Sequence, residues 1–452
     1  MTTRRNFLLD AGSVGVVAAV AGCAGESMKL TCGSGAPMQG FVAPKLGQVR
    51  VGVVGLGVRG GAAAERLCLI PGVEVTALCE VREECLAKAV KAVSDKTGRK
   101  PKAFLGEEVW KALCESAEVD VVYNCTPWHL HVPVALQAMR SGKHALIEVP
   151  AAMYVDECWE LVETAEKCRV HCLQLENCCY GEEELLFLNL CRKGLLGELI
   201  HGEGGYLHDR RWQIFNDSQW NRWRNRWNQE HRGNQYSTHG LGPVCTYMDI
   251  NRGDRLDYLV SVDSHQAGYE AFAAGTLSAH DPQRKLRFQM ADMNVTTIRT
   301  VRGRTILLEH DVTSPRPYSR LNLIAGTRGV ARAYPRLEIC LEETFPTTSA
   351  GHAFDEKKTA EIREKYRHPL WRQYGERAAK QGGHGGMDFL MDLRWAQCLQ
   401  NGFPLDTDVY DLAAWCSVNE LSERSARNRS RALDIPDFTR GGWKTAKPNN
   451  FC

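Results

Sequence analysis

The chain has 452 residues, enough for two domains and a large core, and its 56 basic and 54 acidic residues leave a formal charge of only +2. That balance gives no ground for nucleic acid or an anionic membrane surface as partner, since such partners draw a concentrated basic surface. Small-molecule chemistry is the starting expectation.

At the amino terminus, Arg4 and Arg5 precede Phe7, Leu8 and an apolar run from Gly12 to Gly22 that is too short to span a bilayer as a mature helix. The segment has the form of a twin-arginine export signal. Its end, Val20-Ala21-Gly22-Cys23, has the form of a lipobox, whose cysteine carries lipid in the mature protein. Export to the periplasm or cell envelope is expected, with membrane attachment only through Cys23, and signal and linker together take up residues 1–46. There are 18 cysteines, but no Cys-x-x-Cys pair, so neither a zinc ribbon nor a thioredoxin-type site is indicated, and no metal is expected. Cys79, Cys125, Cys172, Cys245 and Cys416 sit in apolar patterns as small hydrophobes, which predicts few or no disulfides.

Residues 47–172 read as a dinucleotide-binding unit. "QVRVGVVGLGVRGGAAAERL" gives a β-branched strand, then Gly55-x-Gly57-x-x-Gly60, then an alanine-rich helix. Such glycines permit a tight turn, close approach of backbone to a pyrophosphate, and close helix-to-strand packing. The next strand, "VEVTALCE", ends in Glu80, where an acid suits the ribose hydroxyls of NAD and disfavours a 2′-phosphate. Two further buried strands, "VDVVYNCTP" and "HALIEVP", flank a helix expected from His131 to Ser141. This alternation predicts a doubly wound parallel sheet, with ligands beyond the carboxyl ends of the strands. Trp128 and His129 close one strand at that rim, and Glu148 closes the next.

Residues 173–452 read as an α+β substrate domain with a largely antiparallel, open-faced sheet, carboxyl-terminal helices and a tail. "VHCLQLEN" is a strand ending at Asn177, and "CCYGEEELLFLNLCRKGLLGEL" an amphipathic helix. The strands "IHGEGGYLHD", "LDYLVSVDSH", "KLRFQMADMNVTTIRTVRGRTILLEHDV" and "SRLNLIAGTRGVARAYP" follow. An exposed sheet face suits a homo-oligomer. Trp220, Trp223 and Trp227 alternate with arginines, which fits either a packed helix or a face for a sugar. Tyr236 and His239 in "NQYSTHGLGP" fall about one helical turn apart at a helix start.

The first domain resembles the sugar oxidoreductases typified by glucose-fructose oxidoreductase and inositol dehydrogenase, in which this strand ends in Glu-Lys-Pro and the lysine positions substrate and handles a proton. Here the triplet is Glu148-Val149-Pro150. "YSTHGLGPV", "MADMNVTTIRTVRGRTILLEHDVTSPRPYSRLNLIAGTRG" and "GHGGMDFLM" together resemble glycoside hydrolase family 109, the NAD-dependent α-N-acetylgalactosaminidases, across nearly all of residues 48 to 435. The resemblance implies NAD contacts at Val58, Arg59, Glu80, Trp128, His129, Leu130, His131, Glu148, Val149 and Asn177. It implies sugar contacts at Tyr206, Arg224, Tyr236, Ser237, Thr238, His239 and Tyr318, and catalytic roles for Tyr180 and His239, to which we add Tyr236. The expected substrate is a glycan or glycoconjugate ending in N-acetylgalactosamine, cleaved by oxidation at carbon 3, elimination, water addition and re-reduction. The alternative is an NAD-dependent sugar dehydrogenase, against which Val149 speaks.

Overall fold

The computed structural model describes residues 35–216, 222–344, 353–448 and 451. The segment expected to be an export signal, Cys23 and Trp220 lie outside them.

Six strands form the first sheet: β1 (Val49–Val54), β2 (Val73–Glu80), β3 (Lys102–Leu105), β4 (Val121–Asn124), β5 (His144–Ile147) and β6 (Cys172–Gln174). They run parallel in the order β3-β2-β1-β4-β5-β6. β4, β5 and β6 are buried along their whole length, as strands covered on both faces must be. The order reverses between β1 and β4, and the crevice at their carboxyl ends is where such sheets take ligands.

Two expectations shift here. "VHCLQLEN" opens no second domain: β6 pairs with β5, so the first sheet runs through Gln174. The helix expected from His131 begins at Trp128 instead, because Pro127 in extended conformation already starts it, and Pro133 is tolerated near its amino-terminal end.

The second sheet holds β7 (Leu199–Leu207), β8 (Leu256–Asp263), β9 (Asn294–Thr300), β10 (Thr305–Asp311), β11 (Leu323–Gly326), β12 (Gly329–Arg332), β13 (Glu338–Leu341) and β14 (Leu433–Asp434). Its order is β13-β12-β11-β7-β10-β9-β8-β14, with β7 and β10 parallel and every other pair antiparallel. In β9 Asn294, Thr296, Ile298 and Thr300 are buried while Thr297 and Arg299 are exposed, so one face is packed and the other open. "KLRFQM" stays outside the sheet. Its Phe288 and Met290 enter an aromatic cluster, and the amides of Gln289 and Met290 donate to the Asn228 carbonyl instead of a strand.

Helix Thr238–Tyr247 crosses β7 at very short range: a Cβ on Gly240 would stand 2.1 Å from the Gly205 nitrogen. Only glycine permits that approach, and it seats the residues before Gly240 against the crevice.

The carboxyl-terminal helices do not stay with the second sheet. Helix Met387–Asn401 returns to the first domain, where Asp392 accepts from Arg66 Nε at 2.6 Å and from the Tyr123 hydroxyl at 3.1 Å. Helix Val409–Arg427 packs Leu412, Ala413 and Cys416 against Cys158, Leu161 and Val162. All 15 cysteines among the described residues are free. No helix among those residues is long and apolar enough to cross a membrane.

Candidate active site

A large cleft opens at the carboxyl ends of the first sheet and extends to the loop after β7 and to helix Thr238–Tyr247. At one end it is a cradle for a dinucleotide. Gly55 holds φ +83°, and a Cβ there would meet the Cys125 carbonyl oxygen at 2.8 Å. A Cβ on Gly60 would overlap the Gly55 oxygen at 1.8 Å, so helix Val58–Leu67 can start this close to the turn only with glycine there. Gly57 sits before the helix and no side chain caps it, which leaves the helix start facing the cleft. Glu80 lines the same end, its carboxylate accepting from the amides of Leu56 at 2.7 Å and Val81 at 2.8 Å, with Arg82 beside it at 3.7 Å.

The rim acids are strapped together by one arginine. Arg59 Nε donates to Glu148 Oε1 at 2.9 Å and Arg59 Nη1 to Asp388 Oδ2 at 2.9 Å. Asn177 donates to the other Asp388 oxygen at 2.5 Å. Burial alone would raise the Asp388 carboxyl, but the hydrogen bond to His384 and the charges of Arg59 and Arg66 hold it well below the usual carboxylate range. His131 braces the rim from beneath, its two ring nitrogens 2.8 Å from the carbonyl oxygens of Pro150 and Thr126.

At the other end the wall is aromatic. Trp128 packs against Trp223 and Trp227, with ring centres at 4.8 and 5.5 Å, and Tyr206 lies 4.4 Å from Tyr236. Arg224 stands over the rings of Trp223, Trp128 and Tyr236 at 4.9, 5.0 and 5.7 Å. Its flanking arginines point elsewhere: Arg222 and Arg226 are exposed, and Arg226 pairs with Glu230. Val149 packs in this cluster with Trp128, Tyr206 and Tyr236 and lines the cleft, so an apolar side chain with no proton to give stands at this place. Tyr318 completes the wall. The Tyr206 hydroxyl pairs with His208 Nδ1 at 3.1 Å. Burial, helped by the charge of Arg210, pushes His208 down to about 4 and keeps it a neutral acceptor.

His239 lines the cleft between the two ends. Its Nδ1 lies 2.6 Å from Oε1 of Glu176, a carboxylate buried at the end of β6. Glu176, Cys178 and His239 are the one trio among the described residues with ligand atoms close enough for a metal ion. The pair of atoms nearest each other is already joined by a hydrogen bond.

Four expected site residues stand elsewhere. Tyr180 is in the interior, its hydroxyl donating to Asp406 Oδ2 at 3.1 Å and its carbonyl accepting from Trp371; it does not line the cleft. In the single turn Asn177–Tyr180, Asn177 and Cys178 line the cleft, whereas Tyr180 is held in the interior by its distant partners Asp406 and Trp371. Ser237 turns its hydroxyl to the Trp415 carbonyl and Asn419, and Thr238 is buried. His129, one residue into its helix, points to solvent, whereas Trp128, Leu130 and His131 line the cleft.

The sequence matches the family description "Glycosyl hydrolase 109, C-terminal domain" over residues 180–445 and "Oxidoreductase family, NAD-binding Rossmann fold" over residues 49–175. The chain belongs to glycoside hydrolase family 109. A family 109 protein of Shewanella pealeana is 44% identical over 450 residues, 98% of either chain. A Shewanella oneidensis protein named "Alpha-N-acetylgalactosaminidase" is 43% identical over 451 residues, again 98% of either chain. Among solved structures, levoglucosan dehydrogenase in complex with NADH and levoglucosan superposes with a TM-score of 0.65 at 18% identity, covering 86% of this chain and 100% of that one. At that identity it attests the fold.

This family 109 chain is therefore a glycosidase with an NAD-binding domain, and the cradle of Gly55, Gly57, Gly60 and Glu80 suits the dinucleotide. Several of its cleft residues escape a reading of motifs. His208 and Arg210 follow the "GYL" of β7, and Glu176, buried behind His239 and not itself lining the cleft, stands one place before the expected strand end. Asp388 and His384 lie inside "GHGGMDFLM", a segment whose local sequence gives no hint that it returns to the first domain. The Arg59 strap gives a direct test. Arg59→Ala breaks two charge-assisted hydrogen bonds, each contributing about 1.5–3 kcal/mol, and is expected to weaken NAD retention roughly 10- to 100-fold. Dinucleotide released on denaturing extensively dialysed protein measures this; equal retention in the variant would mean that the strap does not hold the cofactor.

Proposed function

We propose that the protein removes terminal α-N-acetylgalactosamine from a glycan or glycoconjugate, with retention, by oxidation and elimination at the sugar ring. One observation carries the proposal. Ordinary glycosidases place two carboxyl groups across the scissile bond, but Glu80, Glu148 and Asp388 are each committed, to backbone amides or to Arg59. The aromatic end of the cleft offers a histidine and tyrosines instead.

NAD, which the turn of Gly55, Gly57 and Gly60 and the Glu80 carboxylate would hold, would supply reversible hydride acceptance from carbon 3 of the sugar, with no net oxidation. His239, whose Nδ1 lies 2.6 Å from Glu176, takes the proton of the carbon 3 hydroxyl as an imidazole general base. Tyr236, 4.9 Å from His239 and beside Arg224, takes the carbon 2 proton that a neighbouring ketone acidifies. Burial raises the Tyr236 phenol well above its ordinary range, and the charge of Arg224 offsets only part of that rise. Tyr206, Tyr318 and Arg224 hold hydroxyls and the enolate oxygen. The group on carbon 1 leaves, water adds in its place, and the protons return by the same residues. A sugar dehydrogenase would need its lysine where Val149 stands.

Hydrolysis of a chromogenic α-N-acetylgalactosaminide in heavy water, without added cofactor, tests the scheme. The released sugar should carry deuterium at carbon 2 and no NADH should accumulate. Full-rate release of sugar with hydrogen kept at carbon 2 would refute elimination, and accumulating NADH without release would establish the dehydrogenase. We also propose that the chain travels folded through the twin-arginine route with its cofactor enclosed, anchored by lipid at Cys23; the paired Arg4 and Arg5 and the lipobox support this.

A further inference from the structure

Glu176 is 2% exposed, and its carboxylate serves no ion pair with lysine or arginine among the described residues. Leaving a charge that deep costs several kcal/mol unless partners compensate. Its partners are His239 Nδ1 at 2.6 Å and the Cys178 amide at 3.1 Å, both on Oε1, with the Thr238 hydroxyl also beside the carboxylate. Burial pushes its carboxyl up, but the charge and hydrogen bond of His239 hold it below the usual range, so it is an ionised acceptor.

The chain makes room for this contact. Gly242 lies one turn beyond His239 on the same helix, and a Cβ there would stand 3.1 Å from Glu176 Cγ and 3.3 Å from Cys179 Sγ. An acceptor without protons at Nδ1 obliges that nitrogen to carry the hydrogen. Nε2 then keeps its lone pair, and no group among the described residues bonds to it. The other ionisable groups around the ring are Tyr236 at 4.9 Å, Tyr206 at 5.6 Å, the Cys178 thiol and His208.

We propose that Glu176 is the positioning residue of this site: it fixes His239 as the Nδ1–H tautomer, presents Nε2 to the cleft as the proton acceptor, and stabilises the imidazolium once a proton arrives. The inference rests on the reading of His239 as base. In the step it serves, the sugar O–H bond breaks and the Nε2–H bond forms. The carboxylate stays ionised throughout and receives no proton.

The test uses the full, NAD-loaded chain labelled with ¹⁵N-histidine, with the His239 signals assigned by their loss in His239→Asn. In unmodified protein above the imidazolium titration, Nε2 should resonate as the bare nitrogen and Nδ1 as the protonated one. The opposite tautomer would overturn the proposal with no variant needed. In Glu176→Gln the carboxylate charge is gone, so the imidazolium is less stable and the acid limb of kcat/KM should move to lower pH by about one unit or more. kcat should fall about 10²- to 10⁴-fold with KM little changed. Glu176→Asp, which keeps the charge on a shorter arm, should recover part of both. Gly242→Ala, which crowds Glu176 without removing it, should shift tautomer and acid limb the same way by less. An unmoved acid limb and tautomer in folded Glu176→Gln would sink the proposal. A changed tautomer in a protein whose unmodified form hydrolyses no glycoside would leave the pair standing and refute the proposed function instead.

Discussion

Replacing His239 with alanine is expected to lower turnover by more than about 10²- to 10⁴-fold, the usual cost of removing a general base, while leaving NAD in place. The loss should reach or exceed the upper end because the same residue opens the cycle and closes it: without the first proton removal no carbon 3 ketone forms, and the later steps have no substrate. NAD should stay because none of its holding elements depends on the imidazole. The glycine turn, Glu80 and the strap from Arg59 to Glu148 and Asp388 all lie at the other end of the cleft. His239 donates a single hydrogen bond, to Glu176, and its removal opens a small cavity at the cleft wall. Retained dinucleotide after denaturation and an unchanged unfolding midpoint in the presence of NAD establish that the fold is intact. Activity within tenfold of the unmodified enzyme would remove His239 from the mechanism and, with it, the role assigned to Glu176.

What was legible in the sequence follows from where the information sits. The first sheet could be read because its strands are buried on both faces and write themselves as β-branched runs, and because Gly55-x-Gly57-x-x-Gly60 records a steric need at each position. The second sheet was legible where strands alternate, as in β7 to β10, and illegible at "KLRFQM", whose apolar residues are spent on an aromatic cluster. Tyr180 was misplaced for a simple reason. Spacing within the turn would put Tyr180 on the side of Asn177, one 3-10 turn before it, but two distant partners that local sequence does not reveal, Asp406 and Trp371, hold it in the interior. Periodicity is also silent about return packing. Nothing in "GMDFLMDLRW" states that Asp388 and Asp392, one helical turn apart, meet Arg59 and Arg66, two turns apart on a helix more than 300 residues earlier, with sequence separations of 329 and 326.

That return contact gives the largest stability effect we expect. Arg66 and Asp392 are both almost fully buried, and besides Arg66 the Asp392 carboxylate accepts from Tyr123 at 3.1 Å and from Trp395 Nε1 at 3.0 Å. Asp392→Ala removes three hydrogen bonds at once and strands a guanidinium whose next carboxylate, on Asp388, lies at 3.6 Å. Breaking a buried pair from one side costs about 3–5 kcal/mol, because the remaining charge has lost its water and gains nothing in return. Asp392→Asn keeps the volume and one acceptor for Tyr123 and Trp395, and should cost less. An exposed pair serves as the contrast: Lys91 and Asp95 are a turn apart on an open helix face, and Asp95→Ala should cost under about 1 kcal/mol. Urea unfolding of the three variants, followed with and without added NAD, separates the pair from the cofactor, since NAD stabilises only the folded state. If the loss in Asp392→Ala vanished when NAD was absent, the pair would matter through the cofactor alone. We expect it to persist, and to be joined by faster NAD release, because helix Met387–Asn401 carries Asp388 to the strap on the same face that Asp392 pins to the first domain. Equal midpoints for Asp392→Ala and Asp95→Ala would show that the buried ion pair contributes no more than the surface one, and that packing of Phe389, Leu393 and Trp395 holds the helix unaided.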